Sequence, residues 1–231
     1  MKILVYIKSN KMKSTFFIFI ALLTVSVFAC KSDTNTQENT KETIGTKATT
    51  GKNCKFSIKS NDVKVNWTAF KTTARVGVKG SFDKVEINTA NGTPSLSTLM
   101  MATSFKVNTA TVNSNNPERD KKLVDFFFAK MTSDLAVTGN VKSVTGSNEQ
   151  GQGIMAINMN GVSWDTAFKY TVTDNILTLT TSINTDNWNA QDAITSINNA
   201  CEDLHKGKDG ISKTWSDVEI SVIVPMDISC D

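Results

Sequence analysis

Strict alternation of apolar and polar residues is the feature that most restricts how this chain can fold. Residues 63–69 and 218–224 both alternate in this way, which is typical of strands with one buried and one solvated face. Asn160-Gly161 lies between two further apolar runs and is a strong short-range signal of a β-hairpin. Asp174-Asn175 separates the second of those runs from the next. The sequence therefore predicts a mainly β domain of antiparallel strands.

The alternating runs predict eight strands. They lie near 55–70, 75–88, 99–112, 133–145, 152–160, 162–173, 176–185 and 215–228. Eight antiparallel strands suit a closed, lipocalin-like barrel with room for one small ligand. A sandwich of two sheets is the competing arrangement.

Two helices are expected to interrupt the strands. The first begins at Asn116-Pro117, an N-cap residue followed by proline, and ends near Met131. The second spans 189–204, with Gly207 as its expected C-cap, and we expect it to cover one mouth of the barrel. Its apolar face consists of Ala193, Ile194, Ile197, Cys201 and Leu204, of which Ile194, Ile197 and Cys201 are expected to point inward.

The N-terminal residues have the pattern of a lipoprotein signal peptide. Residues 1–29 combine a basic start with an apolar run from Phe16 to Ala29, and this run is shorter than the ~20 residues of a membrane-spanning helix. Val27-Phe28-Ala29-Cys30 resembles a lipobox, although Phe28 is larger than usual at its position. We therefore expect Cys30 to be lipidated and to anchor the protein to a membrane. Lys31 after Cys30 mildly favours the outer membrane, with the domain in the periplasm or at the cell surface.

Residues 30–53 are rich in Thr, Asn, Gln, Glu, Lys and Gly, so we expect a flexible tether. Residues 54–231 then form the single folded domain. Residues 1–29 carry four lysines and no acid, so their removal changes the net charge from +3 to −1. The net positive charge of the full sequence therefore comes from the signal peptide, and it does not indicate a nucleic-acid partner.

Three cysteines follow Cys30, and an exported domain allows them to pair. Cys54 opens the first predicted strand and Cys230 closes the last, and these strands are neighbours in a closed barrel. We therefore favour a Cys54–Cys230 disulfide with Cys201 buried, while Cys201–Cys230 is the main alternative.

Few residues suggest catalysis. The single histidine, His205, lies at the end of the second helix, and a hydrolase that uses it is the weakest of the functions considered. No cofactor is implied, since no phosphate-binding glycine loop is present, and no clustered ligands suggest a metal. The charged group Glu118-Arg119-Asp120 suits a helix N-terminus better than a ligand contact.

Several stretches along the domain together form a known pattern: residues 65–71, 76–82 and 105–110, Asn116 to Leu123 followed by Phe126-Phe127-Phe128, and residues 138–141, 160–161 and 218–220. In these stretches the chain resembles the YceI family, the lipocalin-like polyisoprenoid-binding proteins of bacterial envelopes, and in particular its lipid-anchored members. The usual opening histidine is absent, with Trp67 in its neighbourhood, and the segment 188–215 is longer than in the simplest members.

This resemblance implies an eight-stranded barrel that holds a long isoprenoid tail, such as that of a quinone or polyprenol. The candidate residues of the apolar cavity are Trp67, Phe82, Phe105, Phe127, Phe128, Phe168, Tyr170, Leu179, Ile183 and Trp188. The expected function is non-enzymatic binding, carriage or sequestration of such a lipid. The alternative is a structural or protein-docking envelope lipoprotein with a filled barrel and a partner of unknown identity.

Overall fold

The structure, a computed structural model, describes residues 53–131 and 135–231. The predicted signal peptide, the lipidation site Cys30 and all but the last residue of the tether lie outside the described residues. Residues 49–231 form one compact unit.

Within the described residues the chain forms eleven strands and four α-helices. The strands are β1 (Cys54–Ile58), β2 (Lys64–Lys71), β3 (Val76–Phe82), β4 (Val85–Asn88), β5 (Ser104–Asn108), β6 (Val112–Asn113), β7 (Ala136–Gly146), β8 (Gln150–Met159), β9 (Val162–Thr173), β10 (Ile176–Asn184) and β11 (Thr214–Cys230). The helices are α1 (Leu96–Met101), α2 (Pro117–Phe126), α3 (Gln191–Ala200) and α4 (Glu202–His205).

The predicted number of eight strands is wrong because three predicted strands are each divided in two. A 3-10 turn at Ser60–Asp62 separates β1 from β2, and Asp83-Lys84 separates β3 from β4. The predicted strand 99–112 begins inside α1 and is then divided by a second 3-10 turn, Thr109–Thr111. The mainly β, antiparallel character of the domain is confirmed.

The predicted number of two helices is also wrong. Helix α1 begins at Ser95, whose hydroxyl accepts a hydrogen bond from the backbone N–H of Thr98. The predicted helix 189–204 is divided at Cys201, where the backbone leaves helical geometry, so α3 and α4 replace it. Gly207 is no left-handed C-cap, because its φ is not positive and the C-cap residue of α4, Lys206, is already extended. The start of α2 agrees with the prediction, since the Asn116 side chain accepts from the N–H of Arg119.

All eleven strands belong to one curled antiparallel sheet. Its order is β4-β5-β7-β8-β9-β10-β11-β2-β3-β6, with β1 paired to the end of β11. The two ends of this path are joined through the chain: β4, which pairs with β5, follows β3 directly, and β6, which pairs with β3, follows β5 directly. Between those pairings the N–H of Asp83 donates to the carbonyl of Thr111 at 3.0 Å. One sheet that curls back to its starting segment agrees with a barrel-like fold rather than with two stacked sheets.

The predicted hairpin turn at Asn160-Gly161 is present, and Asp174-Asn175, which was expected to separate two strands, forms a second one. Asn160 and Gly161 have φ values of 51° and 71°, and Asp174 and Asn175 have 51° and 61°. Two consecutive left-handed residues suit the twist of a hairpin. The β9–β10 ladder extends only from Ile176–Thr173 to Thr180–Lys169, so the second half of β10 pairs with β11 alone.

A disulfide joins the two ends of the domain. Cys54 and Cys230 are register partners on β1 and β11, and the structure contains the bond between them. This confirms the favoured pairing and excludes Cys201–Cys230. Cys201 is free and buried. Because residues 49–231 contain the core cluster and the disulfide, we expect this unit to fold without residues 1–48.

Candidate functional site

A cavity of about 840 Å³ lies inside the curled sheet. Side chains point alternately to the two faces of a strand, so one set of alternate residues on each strand forms the wall. On β11 this set runs from Val218 to Val224, and on β2 from Val65 to Ala69. The wall is therefore the direct result of the alternation visible in the sequence.

Seven of the ten residues predicted for the cavity lie against it. They are Trp67, Phe82, Phe105, Phe127, Phe128, Leu179 and Ile183. Phe82, Phe127 and Phe128 also pack on each other edge to face, with centroids 6.0 Å apart for Phe82–Phe128 and 5.1 Å apart for Phe127–Phe128. This group joins β3 to the end of α2.

The other three predicted residues, Phe168, Tyr170 and Trp188, do not line this cavity but belong to the packed core. Trp188 is fully buried, and its ring N–H donates to the carbonyl of Ile157 at 2.9 Å. The Tyr170 hydroxyl donates to the carbonyl of Ser147 at 2.7 Å. Burial and, to a lesser degree, Glu149 raise the pKa of Tyr170 above its ordinary value. These three side chains are nearly inaccessible to solvent, so their role is in packing rather than in the wall of this cavity.

Glycines opposite the aromatic rings explain how the wall accommodates them. Trp67 is the register partner of Gly80, and Phe105 is the partner of Gly139. A Cβ atom at Gly80 would lie 2.3 Å from the Trp67 ring, and one at Gly139 would lie 2.4 Å from the Phe105 ring. Phe168 and Tyr170 face Gly153 and Gly151 in the same way. Each ring lies flat across the neighbouring strand because that strand lacks a side chain there.

Sequence reasoning missed several lining residues on β8. Met155, Ile157 and Met159 all line the cavity. The alternation within the predicted strand 152–160 indicated these positions, but the predicted set of cavity residues was chosen mainly among aromatic side chains and therefore left them out. Methionine suits such a wall because its flexible side chain adapts to irregular space.

The helices cover one mouth of the cavity. Ile194, Ile197 and Cys201 line it, as the helical spacing predicted, and α3 packs against α2 and β11. Leu204 also borders the mouth, although its relative exposure is 60%.

Polar groups gather at this mouth. The charged residues that line the cavity are Lys71, Lys79, Glu118, Arg119 and Lys122, and His205 lies beside them. Asp120 has a structural role instead, since its carboxylate accepts from both the N–H and the hydroxyl of Ser114. Of the charged group at the start of α2, Asp120 therefore stabilises the helix N-terminus, while Glu118 and Arg119 lie at the cavity mouth.

His205 is half-buried beside these cations. Its Nδ1 lies 2.7 Å from the hydroxyl oxygen of Thr214, and that hydroxyl donates to Oδ1 of Asn198 at 2.9 Å. Since the single hydroxyl proton is used on Asn198, Nδ1 of His205 is the donor to Thr214. Burial, then the charges of Lys71 and Lys122, lower the pKa of His205 below its ordinary value.

Among the described residues, no group of three or more His, Cys, Asp or Glu is placed to hold a metal ion. In the same part of the chain, no helix has the length and apolar character needed to cross a membrane.

Solved structures with the same arrangement identify the fold. A polyisoprenoid-binding domain from Saccharophagus degradans, implicated in plant cell wall breakdown, is 12% identical with a TM-score of 0.53, covering 76% of this chain and 98% of that one. Burkholderia cenocepacia BcnA is 11% identical, also with a TM-score of 0.53, covering 75% of this chain and 99% of BcnA. The chain has the fold of these two proteins.

The barrel-like fold that the predicted resemblance implied is thus shared with two solved structures. A Campylobacter jejuni YCEI protein is 17% identical with a TM-score of 0.48, covering 68% of this chain and 86% of that one. No protein-family model matches the sequence, and no curated protein matches it.

Proposed function

We propose that this protein binds an isoprenoid-type lipid, such as a polyprenol or quinone, and carries or sequesters it in the bacterial envelope without catalysis. The observation that carries this proposal is the cavity of about 840 Å³ with an almost wholly apolar wall. Ligand sites typically have volumes of about 300–1,000 Å³, so the cavity is large enough for a sizeable molecule.

The chemistry of the wall indicates the class of ligand. Most of the side chains that β2, β10 and β11 contribute are Val, Leu, Ile and Ala, which offer no hydrogen bonds that could orient a polar molecule. The exceptions are Lys71, Thr214 and Trp215 near the mouth, Thr181, whose hydroxyl donates to the carbonyl of Ala167 at 2.7 Å, and the indole N–H of Trp67. That N–H already donates to the carbonyl of Ser81 at 3.2 Å. Each buried CH₂ of a ligand contributes about 0.8 kcal/mol, so a long hydrocarbon tail suits this space. The Saccharophagus degradans domain of the same fold is described as polyisoprenoid-binding, which supports an isoprenoid tail.

The place in the envelope rests on the sequence. The lipobox-like residues before Cys30 support export and lipidation, and residues 30–53 would then hold the domain near the membrane that supplies its ligand. We propose the outer membrane as the site of the anchor.

The alternative function, a structural or docking protein with a filled barrel, is less well supported, because the interior contains a cavity rather than packed side chains alone. A docking role for the segment 188–215 has no separate support, since α3 packs on the domain itself.

Native mass spectrometry of residues 49–231, expressed in bacteria and followed by lipid extraction, tests the proposal. We expect an apolar lipid to co-purify, or a polyprenol or quinone to bind at one molecule per chain when added. A protein that carries no apolar ligand and takes up neither lipid would contradict the proposed function. Cell fractionation with a Cys30→Ser variant tests the anchor separately, since this variant should lose its membrane association.

A further inference from the structure

The charges at the cavity mouth are strongly unequal in sign. Lys71, Lys79, Arg119 and Lys122 line the cavity, whereas Glu118 is the sole acid among the lining residues that the structure describes. These residues come from β2, β3 and α2, so separate parts of the sequence converge on one region. The rest of residues 53–231 is acidic, with 13 Lys and Arg against 18 Asp and Glu, and the positive charge at the mouth therefore requires its own explanation.

Carboxylates of the described residues do not neutralise these cations. The ion pairs of this part of the chain involve Lys59, Arg75, Lys121, Lys142 and Lys206, none of which lines the cavity. The contrast on α2 is direct, because Lys121 pairs with Asp125 at 2.6 Å while its neighbour Lys122 faces the mouth without such a partner.

Lys71 is held in place at the mouth. Its Nζ donates to the carbonyl of Leu204 at 2.8 Å, immediately before His205. An ammonium group has three donors, so two remain for a ligand.

His205 lies beside these cations. Burial, and then the charges of Lys71 on β2 and Lys122 on α2, lower its pKa below the ordinary value. The acids on its own helix, Glu202 and Asp203, are paired with Lys206. Because Nδ1 donates to Thr214, Nε2 is the nitrogen that can gain a proton and then donate to an anion.

We infer that the mouth binds an anionic head group, so that the preferred ligand is an amphiphile with a long apolar tail and a terminal phosphate or similar oxyanion. Lys71 and Lys122 provide the main charge, with Arg119 beside them on α2. Charge-assisted hydrogen bonds next to an apolar wall are stronger than those in open water. The inference rests on the proposed lipid-binding function and deepens it by naming the polar end of the ligand.

Three ligands separate the contributions of tail and head group: farnesyl phosphate, farnesol and inorganic phosphate. Binding to untagged residues 49–231 at pH 7.5 can be followed by calorimetry. We expect farnesyl phosphate to bind at least about tenfold more tightly than farnesol, which is the gain of one charge-assisted hydrogen bond. Inorganic phosphate alone should bind far more weakly than either.

Paired charge variants provide the control. Lys71→Gln combined with Lys122→Gln should abolish the advantage of farnesyl phosphate while farnesol affinity is retained, which also shows that the variant is folded. Lys64→Gln combined with Lys169→Gln removes the same charge from exposed strand positions outside the cavity and should retain the advantage.

The single histidine gives an independent measurement. In a proton NMR titration, farnesyl phosphate should raise the pKa of His205, and farnesol should not.

The possible results distinguish the two proposals. Equal affinities for farnesyl phosphate and farnesol, or an unchanged His205 pKa, would overturn the head-group inference alone. If inorganic phosphate bound as tightly as farnesyl phosphate, the mouth would be a site for free phosphate and the amphiphile would be rejected. If none of the three ligands bound, the proposed lipid-binding function would fail as well.

Discussion

At the scale of single residues, the pairing of Trp67 with Gly80 offers a sharp test of the wall. The Trp67 ring is held by its hydrogen bond to the carbonyl of Ser81. A Cβ at position 80 would lie 2.3 Å from the ring and 2.7 Å from the carbonyl oxygen of Asn113. Gly80→Ala should therefore lower the free energy of unfolding by about 1–3 kcal/mol, the usual cost of overpacking. Urea denaturation measures this loss.

Gly77 on the same strand is the matched control. A Cβ there would lie 3.2 Å from the Thr68 methyl group and 3.8 Å from Phe70, so the Thr68 side chain would have to move by only a few tenths of an ångström. Gly77→Ala should change the stability little. Equal losses in the two variants would show that strand propensity, rather than the Trp67 ring, sets the cost.

His205 makes the stability depend on pH. Its pKa in the folded protein is lowered below the ordinary value of 6.5, chiefly by burial and then by Lys71 and Lys122. The unfolded chain therefore binds a proton at higher pH than the folded chain does, so the free energy of unfolding should fall as the pH decreases below about 6.5. His205→Gln should weaken this dependence between pH 5.5 and 7.5, measured by urea denaturation. An unchanged pH dependence would mean that His205 is not the group responsible.

The role of a residue could be predicted from the sequence where it follows from alternation within one strand. It could not be predicted where it depends on how neighbouring strands pair. The lining positions of β2 and β10 follow from alternation within one strand, so Trp67, Leu179 and Ile183 were predictable. Phe168 also follows its strand's alternation, yet it packs over Gly153 of a neighbouring strand. Cross-strand register is a tertiary property that one strand's sequence does not contain.

At the scale of elements, α3 is the part of the molecule that covers the mouth. Ile197 is only 5% exposed and lines the cavity. Ile197→Asp would bury a charge without a partner, so we expect a loss of several kcal/mol in stability or a domain that opens and no longer retains ligand. Thermal unfolding and farnesol binding measure the two effects.

Asn199→Asp introduces the same charge at an exposed position of α3 and should cost only a few tenths of a kcal/mol near the helix C-terminus. If Ile197→Asp behaved like this control in both measurements, α3 would not be packed on the cavity.

The sequence predicted the long strands well but missed the short turns and the short helix between them. Alternation identified nearly all of the residues in strands, and β9, expected at 162–173, is Val162–Thr173 in the structure. Interruptions were missed because they are short: the 3-10 turn Ser60–Asp62 occupies three residues. Helix α1 was missed, and its second half was assigned to a predicted strand, because its six residues are too few to show a helical period. Its Ser95 N-cap, next to Pro94, was the available signal.

At the scale of the whole molecule, one apolar interior serves both stability and binding. The core cluster includes Met155, Ile157 and Leu177, which also line the cavity, as well as Phe168 and Trp188, which do not. The domain can keep an internal space because the second group packs fully around it. Binding and stability should therefore respond differently to substitutions in the two groups.

Val222 and Phe168 separate these two responses. Val222 lies midway along β11 and lines the cavity, so Val222→Trp should occupy part of the ligand space, with an expected loss of farnesol and polyprenol binding of about tenfold or more. The new ring fills empty volume, so its effect on stability should stay within the ordinary range of about 1–3 kcal/mol. Phe168 is 2% exposed and lies outside the lining, so Phe168→Ala should cost about 3–5 kcal/mol.

Calorimetry of farnesol binding, together with thermal unfolding, measures both quantities for both variants. Under conditions where Phe168→Ala is still folded, its farnesol affinity should remain close to that of the unaltered protein, because the wall of the cavity is intact. If Val222→Trp bound farnesol normally, the ligand would lie elsewhere than in this cavity. If Phe168→Ala lost farnesol binding while still folded, the packing of Phe168 would be shown to maintain the shape of the cavity, although Phe168 does not line it.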